Sequence, residues 1–153
     1  MGIRFEYIDR EVKRLVKKFG TRCPFTLCRL LKIMVISEDL GQLYGYYTKH
    51  FNIKMIHLNE RFDKNQLRVV CGHELGHAQV HPNENTPKLR EYSLNSEWLV
   101  EMEANYFMLK LLIDGSHQEY PFIDTAKKIL KFYGLPLELE DFFIRHSKRL
   151  LNE

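Results

Sequence analysis

Hydrophobic residues recur at helical spacing near the start of the chain. The segment 9–20 is predicted to form a helix that Asp9 caps and Gly20 ends. Its hydrophobic side consists of Val12, Leu15, Val16 and Phe19. A second, short helix is predicted for 23–33, where Pro24 lies in the first turn and its missing N–H leaves no donor unpaired.

The pattern then changes to the alternation that is typical of strands. Residues 33–40 are rich in β-type side chains, and 43–60 predicts two strands of a meander. The second of these strands alternates one set of side chains with another, namely Ile53, Met55 and His57 with Lys54, Ile56 and Leu58. The two sets are expected on opposite faces of the sheet.

Helical spacing returns in the second half of the chain. The segment 63–80 predicts a strong helix that Asp63 or Asn65 caps. A polar loop at 83–92 separates it from a long and mostly buried helix at 95–113, and two amphipathic helices complete the chain. Two helices, a small sheet and then only helices predict an α+β fold.

Composition narrows the class of protein without identifying it. The absence of repeats, low-complexity tracts and linkers favours one domain over residues 1–153. With 44% hydrophobic and 28% charged residues, the chain is typical of soluble globular proteins. A net charge of +3 is well short of the concentrated basic surface of a nucleic-acid binder. No apolar run approaches the roughly 20 residues that span a bilayer, and the N-terminus lacks the apolar core of a signal peptide.

The cysteines point to a reducing compartment. The chain has 3 of them, Cys23, Cys28 and Cys71, an odd number without CxxC spacing. Free thiols in the cytoplasm are therefore expected, and no zinc site built from cysteines is predicted.

The stretch "VVCGHELGHAQVHP" at 69–82 carries the most chemistry. His73 and His77 lie one helical turn apart, so each can place a ring nitrogen on a single ion at about 2.0–2.1 Å. Glu74 is rotated by about 100° around the helix axis. It therefore flanks the ion and can pass a proton from an attacking water to a leaving amine. Gly76 is predicted to keep space open towards a substrate or a neighbouring strand.

The HExxH motif alone is a weak signal. Shuffling this composition produces it in roughly 3 of 100 sequences, so an ordinary helix with polar histidines remains the alternative. His81 continues the four-residue spacing, but the helix rises about 12 Å from His73 to His81, too far for three ligands of one tetrahedral ion. At the helix end beside Pro82, a cationic His81 would instead favour the helix dipole.

A catalytic zinc needs a third protein ligand, and the next predicted helix offers three carboxylates, those of Glu97, Glu101 and Glu103. Glu101 lies on an almost entirely apolar face, where an unpaired carboxylate is costly. Glu103 shares its face with Lys110 and can remain solvated, so it is the second choice. Alternatively, Glu101 is a buried carboxylate that bonds a histidine or Arg68. Asn105, one turn after Glu101, can reach a ligand histidine and fix its tautomer.

The blocks "HELGH" and, two dozen residues later, "EMEANYFMLKLL" resemble the ImmA/IrrE family of small metallopeptidases, found in bacteria and their mobile elements. The family pattern runs HELxH and then E-x-E-A-N-x-F-A-x-x-L-L, and the similarity covers about residues 10–113. The family's ligand glutamate, four residues before the asparagine, corresponds to Glu101. This chain departs from the pattern at Met108, where alanine is usual, and in "LIDG", where Met-Pro is common.

The resemblance implies a zincin-like α+β domain with a small sheet, an HExxH active-site helix and a helical C-terminal part. It implies zinc on His73, His77 and Glu101, with Glu74 activating the water that attacks a peptide carbonyl. The implied function is a zinc-dependent endopeptidase whose protein substrate is a helix-turn-helix repressor of a mobile element, phage or stress regulon. No direct contact with nucleic acid or membrane is expected.

The sequence also offers candidates for the oxyanion donor and for a substrate-binding strand. His81, Tyr92 and Tyr106 are candidates for stabilising the oxyanion, although each is more typical of a structural or solvent-facing side chain. The strand "MIHLN" could pair with an extended substrate at its edge. His57, inside that strand, is expected to be packed or at the surface.

Two other classes of function compete with the peptidase. A catalytically inactive zinc-binding regulatory partner would use the same ligands, but it would have no need of Glu74 as a base. A DNA-binding regulator is suggested by the helix, break and helix of the basic segment 10–37. Most side chains of its second helix are apolar, which favours a place in the core.

Overall fold

The computed structural model of the chain describes residues 2–84 and 98–151. Helix α1 (Phe5–Phe19) begins a turn before the predicted start, with Arg4 as its N-cap. The prediction of Asp9 as the cap is wrong, because Ile8 already belongs to the buried side of the helix. The predicted stop at Gly20 is confirmed: Gly20 has a φ of 66° and its N–H donates to the Val16 carbonyl.

Helix α2 (Pro24–Leu30) has Pro24 as its first residue, as predicted, but it ends three residues before the predicted end at 33. Leu27 and Cys28 are fully buried in it, and the helix packs against helix α3 (Lys64–Val80) and the first strand. Helix α2 is thus part of the core.

Three strands, β1 (Met34–Glu38), β2 (Gly45–His50) and β3 (Ile53–Asn59), form a sheet in the order β1-β3-β2. The β2–β3 hairpin confirms the predicted meander, and its two-residue turn has positive φ at both positions, as type I′ turns require. Strand β1 pairs with β3 in parallel. The predicted substrate pairing at the edge of β3 is therefore wrong, since both of its edges are already hydrogen-bonded.

The alternation predicted for β3 is confirmed. Ile56 and Leu58 are buried, whereas His57 lies on the opposite face. The His57 ring stacks on Tyr46 with ring centroids 4.2 Å apart, and its Nδ1 lies 2.7 Å from a carboxylate oxygen of Glu38. His57 is therefore a packed residue of the sheet, as expected.

Helix α3 (Lys64–Val80) begins with a capping box between Asp63 and Gln66, so Asp63 is the cap. It ends at Val80, and its C-cap residue is His81, which precedes Pro82. Every residue from 69 to 78 is buried, because α2, β2, β3 and the following helix α4 (Leu99–Leu112) surround α3.

Helix α4 (Leu99–Leu112) packs along α3, and nearly all of its residues are buried. The start predicted at residue 95 lies outside the described residues. Two further helices complete the described part, α5 (Ala126–Phe132) and α6 (Glu140–Leu151), with 3-10 turns at Ser116–Glu119 and Leu137–Leu139. The α+β class with a helical C-terminal part is confirmed. Within 2–84 and 98–151, none of the helices has the length and apolar character needed to cross a bilayer.

Candidate metal centre

Helix α3 presents two buried imidazoles side by side. His73 and His77 are both 0% exposed, and their ring centroids are 4.9 Å apart. One helical turn separates them, so their rings point the same way. Helix α3 thus places the two imidazoles side by side, as the spacing predicted.

Helix α4 brings Glu101 to both imidazoles. Its Oε1 lies 2.9 Å from His73 Nε2 and 3.3 Å from His77 Nε2. The residue is 2% exposed, and its Oε2 has no hydrogen-bond partner among the described residues. Burial raises the pKa of the Glu101 carboxyl, but hydrogen bonds with His73 and His77 lower it by more, so its pKa lies well below its ordinary range.

The hydrogen bonds of the two Nδ1 atoms, the outer ring nitrogens, show that the Nε2 atoms are the ones left to bind a metal ion. His73 Nδ1 lies 2.8 Å from Asn105 Oδ1, an acceptor, so this nitrogen carries the hydrogen. His77 Nδ1 lies 3.2 Å from His81 Nδ1, and His81 Nε2 lies 2.8 Å from a carboxylate oxygen of Glu103. A carboxylate accepts, so His81 donates from Nε2 and accepts from His77 at Nδ1.

In neutral His73 and His77, both Nε2 atoms therefore carry lone pairs. In this neutral form the two lone pairs and Glu101 Oε1 converge on one point and repel one another unless a cation lies between them. Protonated rings would instead donate from Nε2 to Oε1, and these are the hydrogen bonds that lower the pKa of Glu101. Two imidazole nitrogens and one carboxylate oxygen are the donors that catalytic zinc sites use. The residues present thus fit a zinc ion.

Glu74 is the second carboxylate beside the pair and is 1% exposed. His73, Glu74 and His77 each offer one potential ligand atom, and these atoms lie within 4.8 Å of one another. Glu101 also faces the pair, since one of its oxygens lies within 3.3 Å of both Nε2 atoms. Two carboxylates are thus available beside the imidazoles.

Gly76 is the point of closest approach between α3 and α4. A Cβ at this position would lie 3.1 Å from both the Cα and the carbonyl oxygen of Ala104. The neighbour of Gly76 is thus a helix backbone, whereas the sequence pointed to a substrate or a strand. This close contact holds the turn of α4 that carries Glu101 against the histidines.

Met108, the departure from the family pattern, is fully buried. Its Cγ lies 3.1 Å from the position that a Cβ of Gly72 would occupy. The space that a larger side chain requires on α4 is therefore provided by a glycine on α3.

Glu103 differs from its prediction. It was expected to remain solvated, but it is 1% exposed, and Arg4 and His81 bond both of its oxygens. Burial raises the pKa of Glu103, and the hydrogen bonds from Arg4 and His81 outweigh this and lower it to about 2. The second-choice ligand is thus bound to other partners.

The candidates for the oxyanion donor are not confirmed. The Tyr106 hydroxyl is directed to Asp9 on α1, with 2.5 Å between the two oxygens, and both His81 nitrogens have protein partners. Tyr92 and the third candidate ligand, Glu97, lie outside the described residues.

Sequence reasoning missed Arg4 altogether. It bonds Glu103 across 99 positions of the chain, and no local pattern marks such a pair. The contact of His77 with His81 did have a signal, namely their four-residue spacing. That spacing places the two rings on one side of the helix, but the roles predicted for His81 did not include a bond to His77.

Residues 28–144 match the model of the M78 peptidase family, described as the IrrE N-terminal-like domain. The chain belongs to this family, which confirms the resemblance drawn from the HELGH and EMEAN blocks. It is similar to "Uncharacterized immunity region protein 2" of Bacillus phage phi105, with 36% identity over 88% of this chain and 87% of the relative. It is also similar to "Metallopeptidase ImmA" of Bacillus subtilis (strain 168), with 28% identity over 88% of this chain and 82% of the relative. The family and this relative define a metallopeptidase of the ImmA type.

Proposed function

We propose that this chain is a zinc-dependent endopeptidase in which His73, His77 and Glu101 bind the metal. The observation that carries the proposal is the position of Glu101 Oε1, within 3.3 Å of both Nε2 atoms. The outer ring nitrogens of both histidines are engaged elsewhere. The protein therefore directs two lone pairs and one negative charge to the same point.

Glu74 is the proposed general base. When bound, zinc supplies a Lewis acid that polarises a peptide carbonyl and makes water more acidic. The Glu74 carboxylate takes the proton of the attacking water and delivers it to the amine of the departing peptide segment. Its buried position beside His73 limits the access of bulk water to that proton.

The proposed substrate is a helix-turn-helix repressor, and the proposed compartment is the cytoplasm. Support comes from the relatives, because one is called an immunity region protein of a phage and the other is called ImmA. Three free thiols, those of Cys23, Cys28 and Cys71, agree with a reducing compartment. A purified helix-turn-helix repressor is therefore the first substrate to test.

The decisive experiment compares metal content and cleavage in wild type, Glu101→Ala and Glu74→Gln. Wild type is expected to hold about one zinc per chain, and Glu101→Ala to lose it. Glu74→Gln should keep the zinc but cleave the repressor at least about 100-fold more slowly, because the amide cannot accept the proton.

Matched controls are Glu11→Ala and Glu60→Gln, which change carboxylates away from the two histidines and should alter neither zinc content nor cleavage. Wild type that holds zinc but leaves the repressor intact would favour the inactive regulatory partner. Cleavage by Glu74→Gln at the wild-type rate would overturn the assignment of the base.

A further inference from the structure

A continuous chain of hydrogen bonds leads from the outer nitrogen of His77 to the start of α1. His77 Nδ1 lies 3.2 Å from His81 Nδ1, and His81 Nε2 lies 2.8 Å from Glu103 Oε1. Arg4 bonds the same carboxylate through its backbone N–H, Nε and Nη2, at 2.8, 3.0 and 2.9 Å. This series is called the His81 relay below.

The chemistry of the terminal group fixes the direction of every hydrogen in the relay. A carboxylate can only accept, so His81 must donate from Nε2. With that nitrogen protonated, Nδ1 of a neutral His81 can only accept, and His77 must donate to it. His77 is thereby left with its lone pair on Nε2, the atom that faces Glu101.

The Arg4 guanidinium stabilises the negative charge of Glu103 at the end of the relay. Glu103 is 1% exposed, and two of its three bonds from Arg4 are made by the charged guanidinium. Arg4 Nη2 also donates to the carbonyl of Val80 at 3.4 Å, so the relay connects α1, α4 and the end of α3. A fixed negative charge at its far end makes His77 a stronger donor of its lone pair.

The position of His77 explains why it needs more support than His73. His73 lies in the middle of α3, whereas His77 belongs to the last turn before the helix ends at Val80. Helix ends lack part of their backbone hydrogen bonds and fray. The Nδ1 of His73 bonds a neutral amide, whereas the Nδ1 of His77 bonds a relay that ends in an ion pair.

We infer that His81, Glu103 and Arg4 are positioning residues that hold His77 in the tautomer and orientation required to bind zinc. This inference rests on the proposed function, because it assigns the relay to the same metal. A purely structural ion pair would contribute to stability without any dependence on which ring nitrogen carries the hydrogen.

Zinc affinity, measured by competition with a chromophoric chelator, tests the relay. His81→Leu removes both hydrogen bonds and should weaken zinc binding about 10–100-fold. Glu103→Gln should do the same, because its amide NH₂ can face His81 and reverse the direction of the hydrogens. His81→Gln carries one acceptor and one donor, so it should restore affinity to within about threefold of wild type.

His117→Leu is the matched control. His117 is also buried, at 4% exposure, and its Nδ1 lies 2.7 Å from the Tyr133 hydroxyl. It has no bond to the relay among the described residues. This variant should lose stability and keep wild-type zinc affinity.

A second measurement needs no variant. In metal-free wild type, ¹⁵N chemical shifts of the His81 ring should show a proton on Nε2 and none on Nδ1. A proton on Nδ1 would overturn the relay. If wild type binds zinc and His81→Leu binds it equally tightly, the relay is overturned while the proposed function stands. If wild type binds no zinc, the proposed function is overturned and the metal-directed role of the relay with it.

Discussion

At the scale of single residues, the site depends on side chains that do not touch the metal position. Asn105 is fully buried and receives the Nδ1 hydrogen of His73 at 2.8 Å. This bond leaves the Nε2 lone pair of His73 directed at the point where Glu101 ends. His77 is instead oriented by the His81 relay, which ends in a charged carboxylate, so the two histidines are oriented by different means.

Asn105→Leu keeps the branching and the number of heavy atoms of the side chain but removes the acceptor for His73. We expect zinc affinity to fall about 10–100-fold, because both the tautomer and the orientation of His73 are released. Isothermal titration of the metal-free protein with zinc measures the change.

Asn59→Leu is the corresponding control. Asn59 is also fully buried, and its amide donates to the carbonyls of Gly41 and Leu43 at 2.9 and 2.7 Å. Its replacement should lower the free energy of unfolding by about 1–3 kcal/mol and leave zinc affinity unchanged. Equal zinc affinities in all three proteins would contradict the role given to Asn105.

Tyr47 predicts how stability depends on alkaline pH. Burial raises the pKa of the Tyr47 hydroxyl to about 12, and this hydroxyl donates to the Pro82 carbonyl at 2.7 Å. Because the folded-state pKa is raised, the contribution of Tyr47 is fully present below its unfolded-state pKa of about 10. The contribution is lost as the pH rises through about 12.

Tyr47→Phe removes the hydroxyl and so isolates its contribution to the free energy of unfolding. Near neutral pH the variant should be about 1 kcal/mol less stable, because the hydrogen bond is lost. Above about pH 10 its free energy of unfolding should fall less steeply than that of wild type. Urea unfolding at a series of pH values measures both effects, and parallel curves would refute the prediction.

At the scale of elements, the contact between α3 and α4 builds the site. Gly76→Ala would place a Cβ 3.1 Å from the backbone of Ala104, which cannot move without moving α4. We expect a loss of about 1–3 kcal/mol in the free energy of unfolding. Zinc binding should weaken as well, because Glu101 moves with the helix.

Gly72→Ala is the control on the same helix. Its Cβ would meet the Cγ of Met108 at 3.1 Å, and a side chain can shift by a few tenths of an ångström more readily than the backbone of Ala104. The preference of helices for alanine over glycine, about 1 kcal/mol, offsets part of this crowding, so Gly72→Ala should lose less stability than Gly76→Ala. A Gly76→Ala protein as stable as Gly72→Ala would show that α4 tolerates displacement.

At the scale of the whole molecule, a metal ion would join two helices whose ligands lie 24 residues apart. Zinc that binds only the folded chain stabilises it, by about 2.7 kcal/mol at 100 times the dissociation constant. We therefore expect zinc to raise the midpoint of thermal unfolding and a chelator to reverse the effect. Glu101→Ala should abolish this zinc-dependent increment, and an increment of full size in that variant would exclude Glu101 as a ligand.

Periodicity predicted most of the elements because it is a local property. Spacings of three and four residues marked α1 and α3, and alternation marked β3. The turn and cap residues Asp63 and Gly20 act within a few residues of their positions, so they too could be predicted. The start of α1 was placed too late because the pattern was read from Val12 and left out Ile8, a turn earlier.

The same reasoning preferred Glu101 to Glu103 as a ligand but predicted the surroundings of Glu103 wrongly. It assumed that one face of this helix meets water, so that Glu103 could remain solvated. Helix α4 is instead buried almost all round, and a buried carboxylate is paired by whatever surrounds it. Arg4 and His81 surround Glu103, and the two histidines surround Glu101.

The sequence by itself determined the local parts of this protein: its helices, the β2–β3 hairpin, the His73–Glu74–His77 geometry and the family. These follow from hydrogen bonds and side-chain spacing within a few residues. Only the tertiary structure decided the place of β1 beside β3, the approach of α4 at Gly76 and the bond from Arg4 to Glu103. Those contacts join residues far apart in the chain, and packing of the whole core selects them.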